Sequence, residues 1–225
     1  MGGQACVFYG AAEFSRDTDL VILPEPDNLD RLRLAMNDLH AEVIAVPPFE
    51  IAFLKHGHAV HFRCAHTEAA GMRVDVMSLM RGVPEFSVLW ERRTTIQVDP
   101  GEQYDLMALP DLVRAKKTQR DKDWPMIRRL VESDYSRAGQ SPEREQILFW
   151  LREARTPGLL KDLARRFPSM LQELQDQRAI LRDLPEIEEQ ELERRLRAEE
   201  ECEREADREY WIPLRRELEA LRHTK

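Results

Sequence analysis

The apolar positions of this chain follow two periods, and the period changes along its length. Short apolar runs and alternating positions predict strands at 17–23, 58–64, 72–78, 94–98 and 103–108. Spacings of three and four predict helices at 4–12, 27–41, 84–92, 110–119 and 122–135. In the first helix Ala5, Phe8, Tyr9 and Ala12 form the apolar face. Leu29, Leu32, Met36 and Leu39 form the stripe of the second, which Asp27 or Asn28 caps. Phe86, Leu89 and Trp90 are expected to point inward. Turn residues separate these elements. Pro24 and Pro26 stop the first strand, and Pro47-Pro48 break the chain. Gly71 closes a short connection that makes 58–64 and 72–78 a hairpin, and Asp99-Pro100-Gly101 turns the next one. Residues 42–46 add a strand or end the preceding helix, and 49–55 form a helical turn.

Beyond residue 140 the period of two disappears. Ser141-Pro142 and Thr156-Pro157 each place a cap residue before a first-turn proline. They open helices at 141–155 and 157–167, and a third follows at 169–184. After Pro185 comes a charged helix, 186–209, with 12 acidic and 5 basic residues. A last helix, 211–222, is interrupted by Pro213. Ile187, Leu192, Leu196, Cys202 and Ala206 are too sparse for a heptad seam, so the charge run reads as a solvated helix face. The fold class is therefore α/β, of the α+β kind: a small mixed sheet with flanking helices, then an all-helical C-terminal extension. The domains are 1–135, a linker at 136–140, and the extension 141–225, through which self-association or a protein partner is expected.

Composition narrows the picture. The 225 residues are 42% apolar and 34% charged, with net charge −8. That sign disfavours tight non-specific binding of nucleic acid by the whole chain. Cys6, Cys64 and Cys202 are odd in number and scattered, which argues for a reducing, cytoplasmic compartment. No apolar run approaches the length of a membrane span. His56, His58, His61, Cys64 and His66 invite a zinc reading, but His58 and His61 fall on opposite strand faces and no paired-ligand spacing recurs, so core or cleft histidines are the preferred reading.

The stretch with chemical content is Gly2-Gly3, thirteen residues, Asp17-Thr18-Asp19, then Leu20-Val21-Ile22-Leu23. Residues i and i+2 of a strand share a face, so Asp17 and Asp19 sit side by side, roughly 7 Å apart along the backbone. A hard divalent cation relieves their repulsion, and Mg²⁺ characteristically binds through one or two carboxylates plus substrate phosphates. Acid-x-acid triplets are common by chance, roughly eight in a chain this acidic, so the spacing alone is weak.

With the glycine pair in front, the stretch resembles the signature of the nucleotidyltransferase superfamily that includes polymerase-β-like enzymes. The wording Ser15-Arg16-Asp17-Thr18-Asp19 is similar to its small, stand-alone bacterial members. The resemblance covers about residues 2–130. It implies a minimal nucleotidyltransferase sheet, with Asp75 in Arg73-Val74-Asp75-Val76 as the third carboxylate on a neighbouring strand. Asp17, Asp19 and Asp75 are then the catalytic and metal-binding residues, with Mg²⁺ (or Mn²⁺) as cofactor. Gly2, Gly3, Ser15 and Arg16 are expected at the phosphates of a nucleoside triphosphate, ATP among them; read alone, they are a flexible terminus and turn residues. Asp111-Leu112-Val113-Arg114-Ala115-Lys116-Lys117 and Arg120-Asp121-Lys122-Asp123 resemble a further family segment, in which a lysine faces the nucleotide. Lys116 and Lys117 are both candidates, against the reading of solvated helix lysines.

The implied reaction is transfer of a nucleoside monophosphate to a hydroxyl of a small molecule, a protein or an RNA end, with release of pyrophosphate. The rival expectation is a catalytically inert domain that serves as an interaction or regulatory module through its helical tail. In the family a strand precedes the glycine pair. Here only Met1 does, so that strand is expected to be encoded upstream or lost, leaving the Asp17/Asp19 strand with an exposed edge.

Overall fold

The computed structural model describes residues 1–184 and 186–223. The break expected at Pro185, and the last two residues of the expected extension, lie outside them. The chain forms two compact units: one of Met1–Phe8, Ala12–Ala115 and the residues from Glu209 onward, the other of Tyr9–Ala11 and Lys116–Arg208.

The first unit is mixed α/β. Its main sheet has four strands, β1 (Asp17–Val21), β2 (Glu42–Val43), β3 (Val60–Arg63) and β4 (Arg73–Met77), in the order β1-β4-β3-β2. β1 and β4 run parallel, and the other pairs are antiparallel. Alternation sorts the side chains onto two faces. Val60, Phe62, Val74 and Val76 are buried with Leu29 and Met36 of α2 (Pro26–Asp38) and Leu54 of α3 (Ile51–His56). This apolar face is the hydrophobic half of the sheet and sets the register, because a one-residue slip would turn valines outward. The opposite face carries Asp17, Asp19 and Val21 of β1, His61 of β3, and Arg73 and Asp75 of β4. β1 is an edge strand of this sheet, and α1 (Gly2–Phe8) lies against it. The unit also holds α4 (Phe86–Arg92), a two-stranded sheet of β5 (Thr94–Asp99) and β6 (Glu102–Leu106), and α5 (Leu109–Ala115).

The second unit is helical: α6 (Asp123–Arg137), α7 (Arg144–Glu153), α8 (Pro157–Arg166), α9 (Pro168–Leu174) and the larger part of α10 (Glu189–His223). Trp124, Ile127, Leu130, Leu148, Trp150, Leu160, Leu163 and Leu174 are among its fully buried side chains. Polar groups tie the helices as well. Glu199 of α10 receives Arg178 at 2.7 Å and Arg155 at 2.6 Å, and both arginines are buried. Burial pushes Arg178 down, and the Glu199 carboxylate only partly restores it.

Several elements differ from the sequence expectations. The first helix stops at Phe8 rather than residue 12, where Gly10 takes a left-handed φ of 73°; Phe8 itself is exposed and stacks on Tyr104 of β6. Trp90 points outward, at 45% exposure. The helix expected over 169–184 ends at Leu174, and Arg178 adopts an extended backbone that lets its side chain reach the Leu151 and Ala154 carbonyls. The helices expected at 186–209 and 211–222 are one 35-residue helix with Pro213 inside. An interior proline costs about 3 kcal/mol, and tertiary anchors offset it: Leu214 is buried, and Glu217 lies 2.8 Å from His58 and 3.0 Å from His56. Among the described residues no helix is long and apolar enough to cross a membrane.

Candidate active site

The carboxylates share one face of the four-stranded sheet because of two registers. Asp17 and Asp19 are two apart on β1. β1 then pairs with β4 so that Asp17 lies opposite Arg73, and Asp19 lies opposite Asp75. On the other side of β4, His61 of β3 lies opposite Asp75. The strand expected to bring a third acid beside the first two does so.

The glycine pair is packed onto these acids. Gly2 has φ +62°, and a Cβ there would fall 1.8 Å from the Asp19 Oδ2 atom. A Cβ on Gly3 would fall 2.4 Å from Ser15 Oγ. No side chain fits at either position, so α1 reaches Asp19 only because both residues are glycine. The Gly3 N–H donates to Asp19 Oδ2 at 3.2 Å, and Ser15 Oγ donates to the Asp17 carbonyl at 2.9 Å. Arg16 is exposed, with its guanidinium 6.0 Å from the Phe14 ring, and no carboxylate pairs with it among the described residues.

The three acids are not equivalent. The Asp17 carboxylate accepts no hydrogen bond among the described residues, and Asp19 keeps one oxygen open. Asp75 has both oxygens engaged. Arg73 donates to it from Nε at 3.0 Å and from its second terminal nitrogen at 2.8 Å, and His61 Nδ1 lies 2.7 Å away. Burial pushes the Asp75 carboxyl up, but the hydrogen bonds from His61 and Arg73 outweigh it and hold the group below the ordinary carboxylate range. Arg73 is raised, first by its bond to Asp75, against burial, with the charges of Asp17 and Asp19 adding to it. Arg73 is thus the counter-ion of the whole acidic face. The sequence carried a signal for it: residue 73 is two before Asp75 and must share its face.

The three carboxylates differ in what they can still accept. Asp17 and Asp19 offer open oxygens, whereas Asp75 is available only if Arg73 lets go. Among the described residues no group of three or more His, Cys, Asp or Glu side chains is arranged to hold a metal ion. The histidines separate accordingly: His56 and His58 face Glu217, His61 faces Asp75, and the His66 ring accepts the Glu68 N–H.

Lys116 and Lys117 belong to the second unit. Lys116 Nζ is 2.9 Å from Asp123, which also accepts from Thr118 at 2.7 Å and Arg120 at 2.9 Å. Burial raises the Asp123 carboxyl, and the charges of Lys116 and Arg120 overcome it, so the group is held low. Lys117 is 2.8 Å from Glu153. The Lys-Asp wording of this segment therefore builds a buried ionic knot at the start of α6. Compared with the models of known protein families and with curated proteins, the sequence matches none.

Proposed function

We propose that the protein is a metal-dependent nucleotidyltransferase, which moves a nucleoside monophosphate from a nucleoside triphosphate to a hydroxyl acceptor. One observation carries the reading. A glycine pair that tolerates no side chain is pressed onto Asp19 and Ser15, on a sheet face that also holds Asp17 and Asp75. A Gly-Gly pair with no role would not be packed this closely against Asp19 and Ser15.

Asp17 and Asp19 would hold Mg²⁺ or Mn²⁺ through their open oxygens, with the triphosphate completing the shell. When bound, such an ion offsets phosphate charge and polarises the reacting phosphoryl group. Ser15 and Arg16 lie immediately before Asp17, and the unpaired Arg16 guanidinium suits a phosphate. The incoming triphosphate competes with Asp75 for Arg73. Released from that pair, Asp75 becomes the third acid of the site, beside Asp19. The acceptor hydroxyl passes its proton to Asp75 as its oxygen attacks the α-phosphorus in line; a new P–O bond forms, the bond to the bridging oxygen breaks, and pyrophosphate leaves.

A second reading keeps the fold without the chemistry. It is favoured by the saturation of Asp75 by Arg73 and His61, which leaves the third acid fully engaged as it stands. In that case the chain is an inert domain acting through its helical residues. Pyrophosphate release separates the two. Each nucleoside triphosphate is incubated with the protein, Mg²⁺ and a panel of hydroxyl acceptors. Release that is lost in both Asp17→Asn and Asp19→Asn supports the transferase. Release that is unchanged in those variants excludes it.

A further inference from the structure

The acidic face does not end at Asp19. Val21 is the next residue of β1 on the same side, about 7 Å further along the strand, and it lines an indentation with about 330 Å³ of empty space, part of it open to solvent. Its other walls include Phe86, Leu89 and Trp90 of α4, Arg93 just before β5, and Asp105 and Leu106 of β6. Trp90 is a large ring left 45% exposed at the rim. It stacks with Phe86 at 5.7 Å, and the Arg93 guanidinium lies 4.1 Å from its ring centre.

The polar rim is fixed in place. Arg93 Nε donates to Asp105 Oδ1 at 3.0 Å, and Thr95 donates to the same oxygen at 2.6 Å. Another Arg93 nitrogen donates to the Trp90 carbonyl at 2.7 Å. These bonds use one oxygen of Asp105 and two of the three guanidinium nitrogens. They leave the Asp105 Oδ2 acceptor and one Arg93 terminal nitrogen without a hydrogen-bond partner among the described residues. Two aromatic rings, an aliphatic floor, one fixed acceptor and one fixed donor make a site for a flat heteroaromatic ring with an amino group on its edge.

We infer that this pocket binds the base of the nucleotide whose phosphates meet Asp17 and Asp19, and that Asp105 favours bases carrying an exocyclic amine. The inference rests on the transferase reading for the phosphates, but the pocket is testable without it. Three ligands are titrated into the full chain by calorimetry: each nucleoside triphosphate with Mg²⁺, inorganic tripolyphosphate with Mg²⁺, and each free nucleoside without metal. A triphosphate with an amino-bearing base should bind on the order of tenfold tighter than tripolyphosphate, the scale of base–aromatic stacking. Trp90→Ala should erase that difference and leave tripolyphosphate unchanged. Asp105→Asn should lower the affinity for amino-bearing bases relative to uridine. Both residues are well exposed, and circular dichroism confirms that the variants fold.

Failure of the metal-dependent arms, with nucleoside binding still lost in Trp90→Ala, overturns the transferase reading and keeps the pocket as a base site. Equal affinity of nucleoside triphosphate and tripolyphosphate, or nucleoside binding that is indifferent to Trp90→Ala, overturns the pocket.

Discussion

Replacing Arg73 with methionine isolates the feature on which the acidic face depends. The substitution keeps the apolar stem and removes two hydrogen bonds to Asp75, at 3.0 and 2.8 Å. The Asp75 side chain is 11% exposed and that of Arg73 39%, so the pair lies between two limits. A buried pair broken from one side costs about 3–5 kcal/mol, and an exposed one about 0–1 kcal/mol. His61 remains on Asp75 and limits the loss. A destabilisation of about 1–3 kcal/mol at pH 7 follows, or about 2–4 °C in Tm per kcal/mol for a chain of this length. The pH dependence has a definite sign. Asp75 titrates below its ordinary value in the folded protein, so its contribution is present above the unfolded pKa of about 3.9 and is lost as pH falls through the folded value. In Arg73→Met burial meets less opposition, and the Asp75 pKa rises. Urea denaturation at pH 7 and pH 3.5 should therefore show a wide gap between the two proteins at pH 7 that narrows at pH 3.5. Millimolar Mg²⁺ without nucleotide should stabilise the variant more than the wild type, because the face has lost its counter-ion. A gap of equal size at both pH values, or none at all, refutes this assignment of Arg73.

Other expectations follow from single contacts. Gly2→Ala forces a Cβ into Asp19 and places alanine at positive φ, at about 1–2 kcal/mol for the left-handed backbone alone. Faster hydrogen exchange in α1 and weaker nucleotide binding should appear together, and unchanged exchange would show that the close approach is not maintained. In the second unit, Glu199→Ala leaves Arg155 and Arg178 buried without their carboxylate, a loss of about 3–5 kcal/mol by denaturation. A change under about 1 kcal/mol would mean that Glu153 and the Leu151 and Ala154 carbonyls suffice for the two arginines.

What the sequence made legible was local. The Asp17/Asp19 strand, the hairpin carrying Asp75 and the α2 stripe were readable because alternation and the period of 3.6 are direct images of a half-buried strand and helix. Gly2 and Gly3 carry no periodic signal, and the reason for the pair lies in tertiary packing: a Cβ at Gly2 would strike Asp19. Arg73 escaped because a pattern gives the face of a residue and not its partner. The single helix α10 was misjudged at Pro213, where contacts of Leu214 and Glu217 with distant residues override a local penalty. Trp90 was placed inside because its spacing fits the α4 stripe, although Leu89 alone fills the buried position. The lysines at 116 and 117 looked like solvated or phosphate-binding groups, and their carboxylate partners come from Asp123 and from Glu153, which is 36 residues away.

The most direct measurement is the affinity for a nucleoside triphosphate with and without Mg²⁺, in the wild type and in Asp17→Asn and Asp19→Asn. Binding should require Mg²⁺ and should be lost in both aspartate variants while their melting temperatures stay close to that of the wild type. Affinity that is independent of Mg²⁺, or that survives both substitutions, would contradict the assignment of this sheet face to nucleotide chemistry.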